Sequence, residues 1–477
     1  MELNSIAFFA FFVIFFVVYY LSGNLGNKFQ NIVLLLSSYL FYSLADIKAL
    51  GILIFSTVFV YLIGERIAKC RKKSNARIFS VMGIIFCLLL LGYFKYYNFF
   101  INSFSALFSC MGLHSNPKTF EIILPVGISF FSFRLISYII EKYRGDDIVS
   151  SDFISFATYI SFFPTILSGP IDRPQNFMPQ LAQIRRLDYY RISSGCKLII
   201  WGMFQKMCVA DNIASNVDKV WAGMTVGGGG MYVWCAVLYS IQIYADFAGY
   251  SNMAIGISKC LDLDVMQNFR RPYFARSVSD FWRRWHISLS SWLRDYLYFP
   301  LGGNRVPKLK WIFNIIIVFV ICGLWHGAAF TFVIWGFYHG IIQILEKELY
   351  GKKMKTAFSN SFFSFQTITQ ISITFILITV GWIMFRAPDF ISFSEFIKSM
   401  SFWDTSTMSD IRIISKFTGI AILILFFKDL KDELSLTKFD LLNSSSRFVK
   451  FTTFILLIFV ITFYGNESAS QFIYSHF

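Results

Sequence analysis

Apolar runs recur along the whole of this chain, and that feature leaves few folds open to it. They cover Ile6–Leu21, Ile32–Leu44, Leu50–Ile67, Ile78–Leu91, Ile122–Ile140, Phe153–Leu167, Ile192–Val209, Met231–Ile257, Trp311–Trp325, Ala328–Leu345, Ile368–Phe385, Ile413–Phe427 and Phe451–Tyr464. A helix needs about 17 to 25 mostly apolar residues to cross the hydrocarbon core. In lipid a spanning segment must also satisfy its own backbone N–H and C=O groups, which an α-helix does. The pattern predicts an all-α polytopic membrane protein with roughly eleven transmembrane helices, the shorter runs being tilted, amphipathic or re-entrant. Composition agrees, since 56% of the 477 residues are hydrophobic. No polar linker sets off a soluble domain. The chain reads as one membrane-embedded domain over 1–477, with its most distinctive stretches at about 121–345.

The net charge of +15 suits an integral membrane protein whose Lys and Arg mark cytoplasmic loops facing anionic lipid. Nucleic acid is not an expected partner, because no soluble basic domain is visible to bind it. Four basic loops set the orientation: Lys69 to Arg77, Arg305 to Lys310, Lys347 to Lys355, and Lys428 with Lys431. Placing all four in the cytoplasm puts the N-terminus and Gly465–Phe477 outside. The opening Met1-Glu-Leu-Asn-Ser has no basic n-region and no A-x-A site follows Leu21, so the first run reads as a retained helix. The eight cysteines are scattered, without C-x-x-C, and read as small core residues.

Polar groups at membrane depth need a reason, since a charge there costs about 2.5–3.5 kcal/mol or more unless paired or wet. His326 stands out, in Gly323-Leu-Trp-His-Gly327 within an apolar run. The run before it and the run after it both border basic loops, which predicts a helical hairpin with His326 at its turn. Gly323 and Gly327 are expected to leave room beside the ring for another molecule. His286 lies in Ser277-Val-Ser-Asp-Phe-Trp-Arg-Arg-Trp-His-Ile-Ser-Leu-Ser-Ser-Trp-Leu-Arg-Asp-Tyr296. The S-x-x-D start is a capping-box signal. Trp282, Trp285, His286, Leu289, Trp292 and Tyr296 share one helical face, so one amphipathic helix is expected here. Asp246 and Arg134 also sit in apolar surroundings. The preferred reading of both is internal pairing, for Asp246 with an arginine at 270, 271, 283 or 284. His339 follows His326 by thirteen residues, or roughly 20 Å along one helix, and is expected to be structural. His114 and His476 have no supporting context. Cys322 precedes His326 by one turn and reads as a small core residue, a Cys–His nucleophile pair being the less common arrangement. No metal is expected, for neither histidine has a ligand at suitable spacing and H-E-x-x-H is absent. A serine hydrolase is unsupported without G-x-S-x-G.

These stretches resemble the membrane-bound O-acyltransferases, in the bacterial branch of alginate O-acetylation and peptidoglycan O-acetyltransferase proteins. The resemblance is carried by Tyr244-Ala-Asp-Phe-Ala-Gly-Tyr-Ser-Asn-Met-Ala-Ile-Gly256, Phe281 to Tyr298, Pro300-Leu-Gly-Gly-Asn-Arg305 and Gly323 to Gly327. It is supported by Leu124 to Phe131, Phe163 to Ile171, Gly381 to Arg386 and Gln471 to Tyr474. Cys322 departs from the small residue such as Gly expected there. The resemblance implies a ring of helices around a central tunnel in the bacterial inner membrane. It makes His326 the catalytic histidine and gives His286 the first motif position. Asp246, Trp285, Arg283, Arg284, Asn304, Trp325 and Cys322 become candidates for the tunnel or substrate contacts, the two arginines for donor phosphates. It also implies a cytoplasmic thioester donor, either acetyl-CoA or an acyl carrier protein, with no bound cofactor. The acceptor would be an extracytoplasmic glycan or a partner acetyltransferase. Three other readings stay open: D-alanyl transfer to teichoic acid, a glycan or lipid transporter, and a scaffold for polysaccharide synthesis.

Overall fold

Every regular element among the described residues is helical. The computed structural model describes residues 1–112, 119–145, 152–223, 228–351, 361–401, 414–436, 442, 444 and 446–466. His114, His476, Lys352, Lys353, Lys355 and Gln471 to Phe477 lie outside the described residues. Helices begin where short polar side chains meet orphan backbone N–H groups. Ser5 accepts from the Phe8 N–H at 3.2 Å, Asp46 from Lys48 at 2.8 Å and Asp152 from Ser155 at 3.0 Å.

Two units divide the chain. The first contains α1 (Ile6–Ser22), α2 (Asn27–Ser43), α3 (Ile47–Lys69), α4 (Lys73–Leu91), α5 (Tyr97–Cys110), α6 (Ile128–Arg144), α7 (Phe153–Ser161), α8 (Phe163–Ile166) and α9 (Pro174–Leu181). The helix α10 (Tyr189–Met203) leaves this unit after Cys196. Phe163 anchors its core against Phe8, Phe15 and Phe41, with centroids 5.3–6.2 Å away. Two expected runs are broken here. Pro125 and the left-handed Gly127 (φ +75°) delay α6 to Ile128, and Pro164 at the start of α8 splits 153–167 in two. Arg134 is buried and internally bonded, as expected. Its guanidinium donates to the carbonyls of Tyr159, Ile160, Thr165 and Pro170 at 3.1–3.3 Å and to Thr165 Oγ1 at 2.6 Å. Two of these carbonyls, of Tyr159 and Ile160, lie in the last turn of α7, where intrahelical partners run out.

The second unit contains α11 (Asp211–Trp221), the larger part of α12 (Gly229–Cys260), α13 (Val278–Arg284), α14 (Ile287–Leu293), α15 (Lys308–His326), α16 (Phe330–Tyr350), α17 (Phe365–Arg386), α18 (Phe390–Ser401), α19 (Lys416–Glu433) and α20 (Arg447–Tyr464). Among the described residues, six helical stretches are long and apolar enough to cross a bilayer: Ile6–Leu25, Ile47–Lys69, Lys73–Cys110, Lys308–His326, Phe365–Arg386 and Arg447–Tyr464. Their outer faces present large apolar side chains such as Ile14, Leu89, Ile376 and Phe459. Such faces suit lipid rather than water.

The expected hairpin is present, with α15 and α16 joined by Gly327 to Ala329. Its basic ends meet, for Lys308 pairs with Glu348 at 2.6 Å and Lys347 lies 3.7 Å over Trp311. Glycines let the two helices touch. A Cβ on Gly323 would collide with the Phe332 carbonyl oxygen, and one on Gly336 with that of Phe319. Gly323→Val is therefore expected to lower the melting temperature and folded yield of the detergent-solubilised protein, by the 1–3 kcal/mol or so of an overpacked contact. An unchanged melting temperature would mean that the helices part there without loss.

The segment expected as one amphipathic helix is two helices and a π-helical turn. Ser277 caps α13 as its spacing predicts, accepting from the Asp280 N–H at 3.0 Å. The helix then stops at an extended Trp285 and a left-handed His286 (φ +42°, ψ +53°), and α14 begins anew. The buried face is nonetheless the predicted one, with Trp282, Trp285, His286, Leu289 and Trp292 inside and Arg283 and Arg294 exposed.

Candidate active site

His286 owes its position to backbone strain that its neighbours hold in place. A non-glycine residue in the left-handed region costs on the order of 1–3 kcal/mol and persists only when the surroundings fix it. Asn268, wholly buried, fixes it here. Its carbonyl accepts from the Ile287 N–H at 3.0 Å and its Oδ1 from the Ser288 N–H at 3.3 Å, while its Nδ2 donates to Ser251 Oγ at 3.1 Å. The Arg270 N–H also donates to the Arg284 carbonyl at 2.9 Å. Glu433 of α19 ties the same loop down, binding Arg271 at 2.8 Å and Arg284 at 2.9 Å. The His286 ring meets Phe247 edge-on at 4.7 Å and Trp325 at 5.7 Å. Burial pushes its imidazole down to about 3, so it is neutral near pH 7. One ring nitrogen then donates and the other accepts.

His326 is the last residue of α15 and 2% exposed. Trp325, Trp335 and Phe385 surround its ring at 5.0, 5.2 and 5.2 Å, and His286 lies 6.4 Å away between centroids. Two histidines forty residues apart in sequence thus meet in one aromatic box. The expectation that Gly323 and Gly327 leave space beside His326 is not met. Gly323 admits the α16 backbone, and the Phe332 ring fills the position a Gly327 side chain would take. Both glycines serve helix approach rather than ligand access. The expected separation of His339 from His326 is also corrected. The chain reverses at Gly327, so α16 runs back beside α15. The two imidazoles flank the same Trp335 ring, at 5.2 Å for His326 and 4.9 Å for His339.

A groove of about 550 Å³ opens along α13, α14 and the hairpin. Trp282, Leu293, Trp311, Phe319 and Cys322 build its apolar wall; Arg283, Arg294 and Lys347 give it an exposed, positive rim. Three predicted residues line it: Arg283, Asn304 and Cys322. Asn304 is presented by a turn in which Gly302 (φ +99°) and Gly303 (φ +56°) need left-handed backbone. Asn314 holds that turn to α15, donating to the Leu301 and Gly303 carbonyls at 3.1 and 3.2 Å. Arg284 is engaged with Asp280 and Glu433 instead, and Trp285 packs on Trp382 at 4.7 Å.

Asp246 is internally paired, among the described residues with a lysine rather than with any of the four expected arginines. It binds Lys206 Nζ at 2.8 Å, and Lys206 binds Asp211 at the same distance, all three side chains being at most 4% exposed. Lys206 lies in a π-helical stretch, Phe204–Ala210, whose extra residue per turn redirects side chains. Lys206 sits inside an apolar run, so the rule that marked Asp246 marks it equally. Asn268 carries no comparable sequence signal, and although Phe385 lies in the Gly381 to Arg386 stretch, only the fold brings it and Trp335 to His326. Among the described residues no three His, Cys, Asp or Glu side chains converge as a metal site.

Comparison with known proteins bears on this arrangement. The sequence profile of the MBOAT, membrane-bound O-acyltransferase family, matches residues 145–394. A probable alginate O-acetylase of Pseudomonas syringae pv. tomato is 38% identical over 388 residues, which are 81% of this chain and 72% of that protein. A peptidoglycan O-acetyltransferase of Helicobacter pylori is 34% identical over 82% of this chain and 78% of its own length. A teichoic acid D-alanyltransferase of Bacillus subtilis is 30% identical over 57% and 70%.

Proposed function

The chain belongs to the membrane-bound O-acyltransferase family, and we propose that it moves an acetyl group from a cytoplasmic thioester to a hydroxyl of an extracytoplasmic glycan or of a partner acetyltransferase, with His326 as general base. The observation that carries the reading is the meeting of His286 and His326, 6.4 Å apart, in an enclosed aromatic box. The relatives named for acetylation of alginate and of peptidoglycan support a glycan acceptor, and the family together with the apolar helices supports the multi-pass membrane location that the reading places in the bacterial inner membrane.

In the proposed reaction, His326 takes the proton of the acceptor hydroxyl as its oxygen attacks the thioester carbon. His286, held in one orientation by the Asn268 clasp, donates to the carbonyl oxygen as it gains charge. The C–S bond then breaks, and the departing thiolate takes the proton from His326. Acetyl-CoA and acyl carrier proteins both present their thioester on a phosphopantetheine arm. The groove suits such an arm, with apolar walls along its length and Arg283, Arg294 and Lys347 around its rim.

Arg283→Glu and Lys347→Glu together are expected to raise the donor KM by roughly tenfold or more, from lost charge-assisted contacts, with kcat within about twofold. Added salt is expected to narrow that difference. An unchanged donor KM in the double variant would remove the rim from the donor site. The reading as a whole is tested by incubating purified protein with labelled acetyl-CoA or acetyl-loaded carrier protein and a glycan acceptor. Labelled ester on the acceptor is the expected result; thioester left intact with every donor would refute acyl transfer.

A further inference from the structure

Trp335, which packs against His326, also belongs to a group of three rings that pack edge to face with one another. His339 lies 4.9 Å from Trp335 and 5.2 Å from Trp282, and the two indoles are 5.6 Å apart, with interplanar angles of 73–84°. Trp335, His339 and Trp282 are 0, 1 and 6% exposed. Aromatic packing explains the rings but not their polar atoms. Both indole Nε1 atoms and both imidazole nitrogens of His339 are buried without a hydrogen-bond partner among the described residues. The large majority of buried side-chain polar atoms have a partner in protein or ordered water. Four such atoms on three touching side chains call for one shared explanation.

Gly381 of α17 faces this cluster. A Cβ there would lie 2.6 Å from His339 Nε2 and 3.6 Å from Trp335 Nε1, so no larger residue fits without displacing the imidazole. The two indoles are donors only, and a neutral imidazole offers one donor and one acceptor. A water matches this set, since it accepts from N–H groups and donates to the remaining ring nitrogen.

We propose that Trp282, Trp335 and His339 hold one small hydrogen-bonding molecule, water in the resting protein, and that through it His339 is a positioning residue for His326. The Trp335 indole is the link. One side of the site fixes its N–H, and His326 packs against the same indole at 5.2 Å and 84°. An indole free to rock would let the base wander from the acceptor hydroxyl. Misplacement of a reacting group by about 1 Å costs up to 10²-fold in rate. The proposal rests on His326 being the base, and the site itself is read independently of that.

The test uses the full chain in nanodiscs, with acetyl transfer kinetics and a cryo-EM map fine enough to show ordered water. His339→Phe keeps the ring and removes both nitrogens. Trp335→Phe keeps an aromatic neighbour and removes the N–H, and His339→Gln returns a donor and an acceptor. The expected result is a kcat about tenfold or more below wild type in both Phe variants, with donor KM within about twofold. His339→Gln should return to within about threefold of wild type. Water density should join His339 to an indole N–H in the wild type and be absent from His339→Phe. Full kcat in His339→Phe, a Gln variant no better than Phe, or a dry cluster in the wild-type map would each overturn the proposal. If His339→Phe does not fold, Trp335→Phe and the wild-type map decide it. If the wild-type protein transfers no acetyl group, the base assignment has failed, and with it the positioning role, while the map still decides the site.

Discussion

His326→Ala in the purified full-length protein is expected to lower acetyl transfer by at least about 10²-fold, the lower bound of what general base catalysis supplies. The fall should appear in kcat, because the groove that suits the donor is lined by other residues, from Arg283 on the rim to Cys322 in the wall. Folded yield should stay near wild type. The ring sits among Trp325, Trp335 and Phe385, which remain to close the box around a smaller side chain. Removing a polar group from apolar surroundings also spares its desolvation. Activity within about threefold of wild type would exclude His326 as the base.

Lys206→Met should act on the fold, and strongly. Lys206 is the shared partner of Asp211 and Asp246, at 2.8 Å from each. Taking away one member of a buried ion pair typically costs about 3–5 kcal/mol, because a charge is left without compensation. Here two carboxylates lose their common cation, so folded protein in detergent should fall to a small fraction of wild type. Replacing both acids as well, in Lys206→Met with Asp211→Asn and Asp246→Asn, should restore much of the yield, since no buried charge is then stranded. Normal yield and melting temperature in the single variant would show that the triad does not stabilise the unit.

Local and periodic features of this protein were legible in its sequence. The apolar runs announced the helices, the Ser277–Asp280 spacing marked the start of α13, and the glycine-rich break at 301–305 is the turn that presents Asn304. The flanking basic residues predicted the hairpin with His326 at its bend. Periodicity also identified the buried face of 282–296, because burial acts on each turn separately and survives a break between turns. The break itself was hidden. Trp285 and His286 have no helix-stopping chemistry of their own, and α13 ends because Asn268, Arg270 and Glu433, distant in sequence or on another helix, bind the loop. The apolar surroundings of Asp246 predict a buried partner, but only the fold reveals that Lys206, rather than Arg270, Arg271, Arg283 or Arg284, binds it. The glycines beside His326 are ambiguous in sequence for a related reason. A glycine leaves space, and sequence does not say whether a ligand or a neighbouring helix fills it; here it is the backbone of α16 and the Phe332 ring.

The central claim is that a thioester on one side of the membrane acylates a hydroxyl on the other. The most direct measurement uses proteoliposomes of uniform orientation, with labelled acetyl thioester supplied only on the side of Lys72, Lys308 and Lys431, and glycan or partner acetyltransferase only on the opposite side. The account predicts labelled ester on the acceptor in step with free thiol on the donor side, and neither in His326→Ala. Thiol release with free acetate and no ester, or ester formed only when donor and acceptor share one compartment, would contradict it.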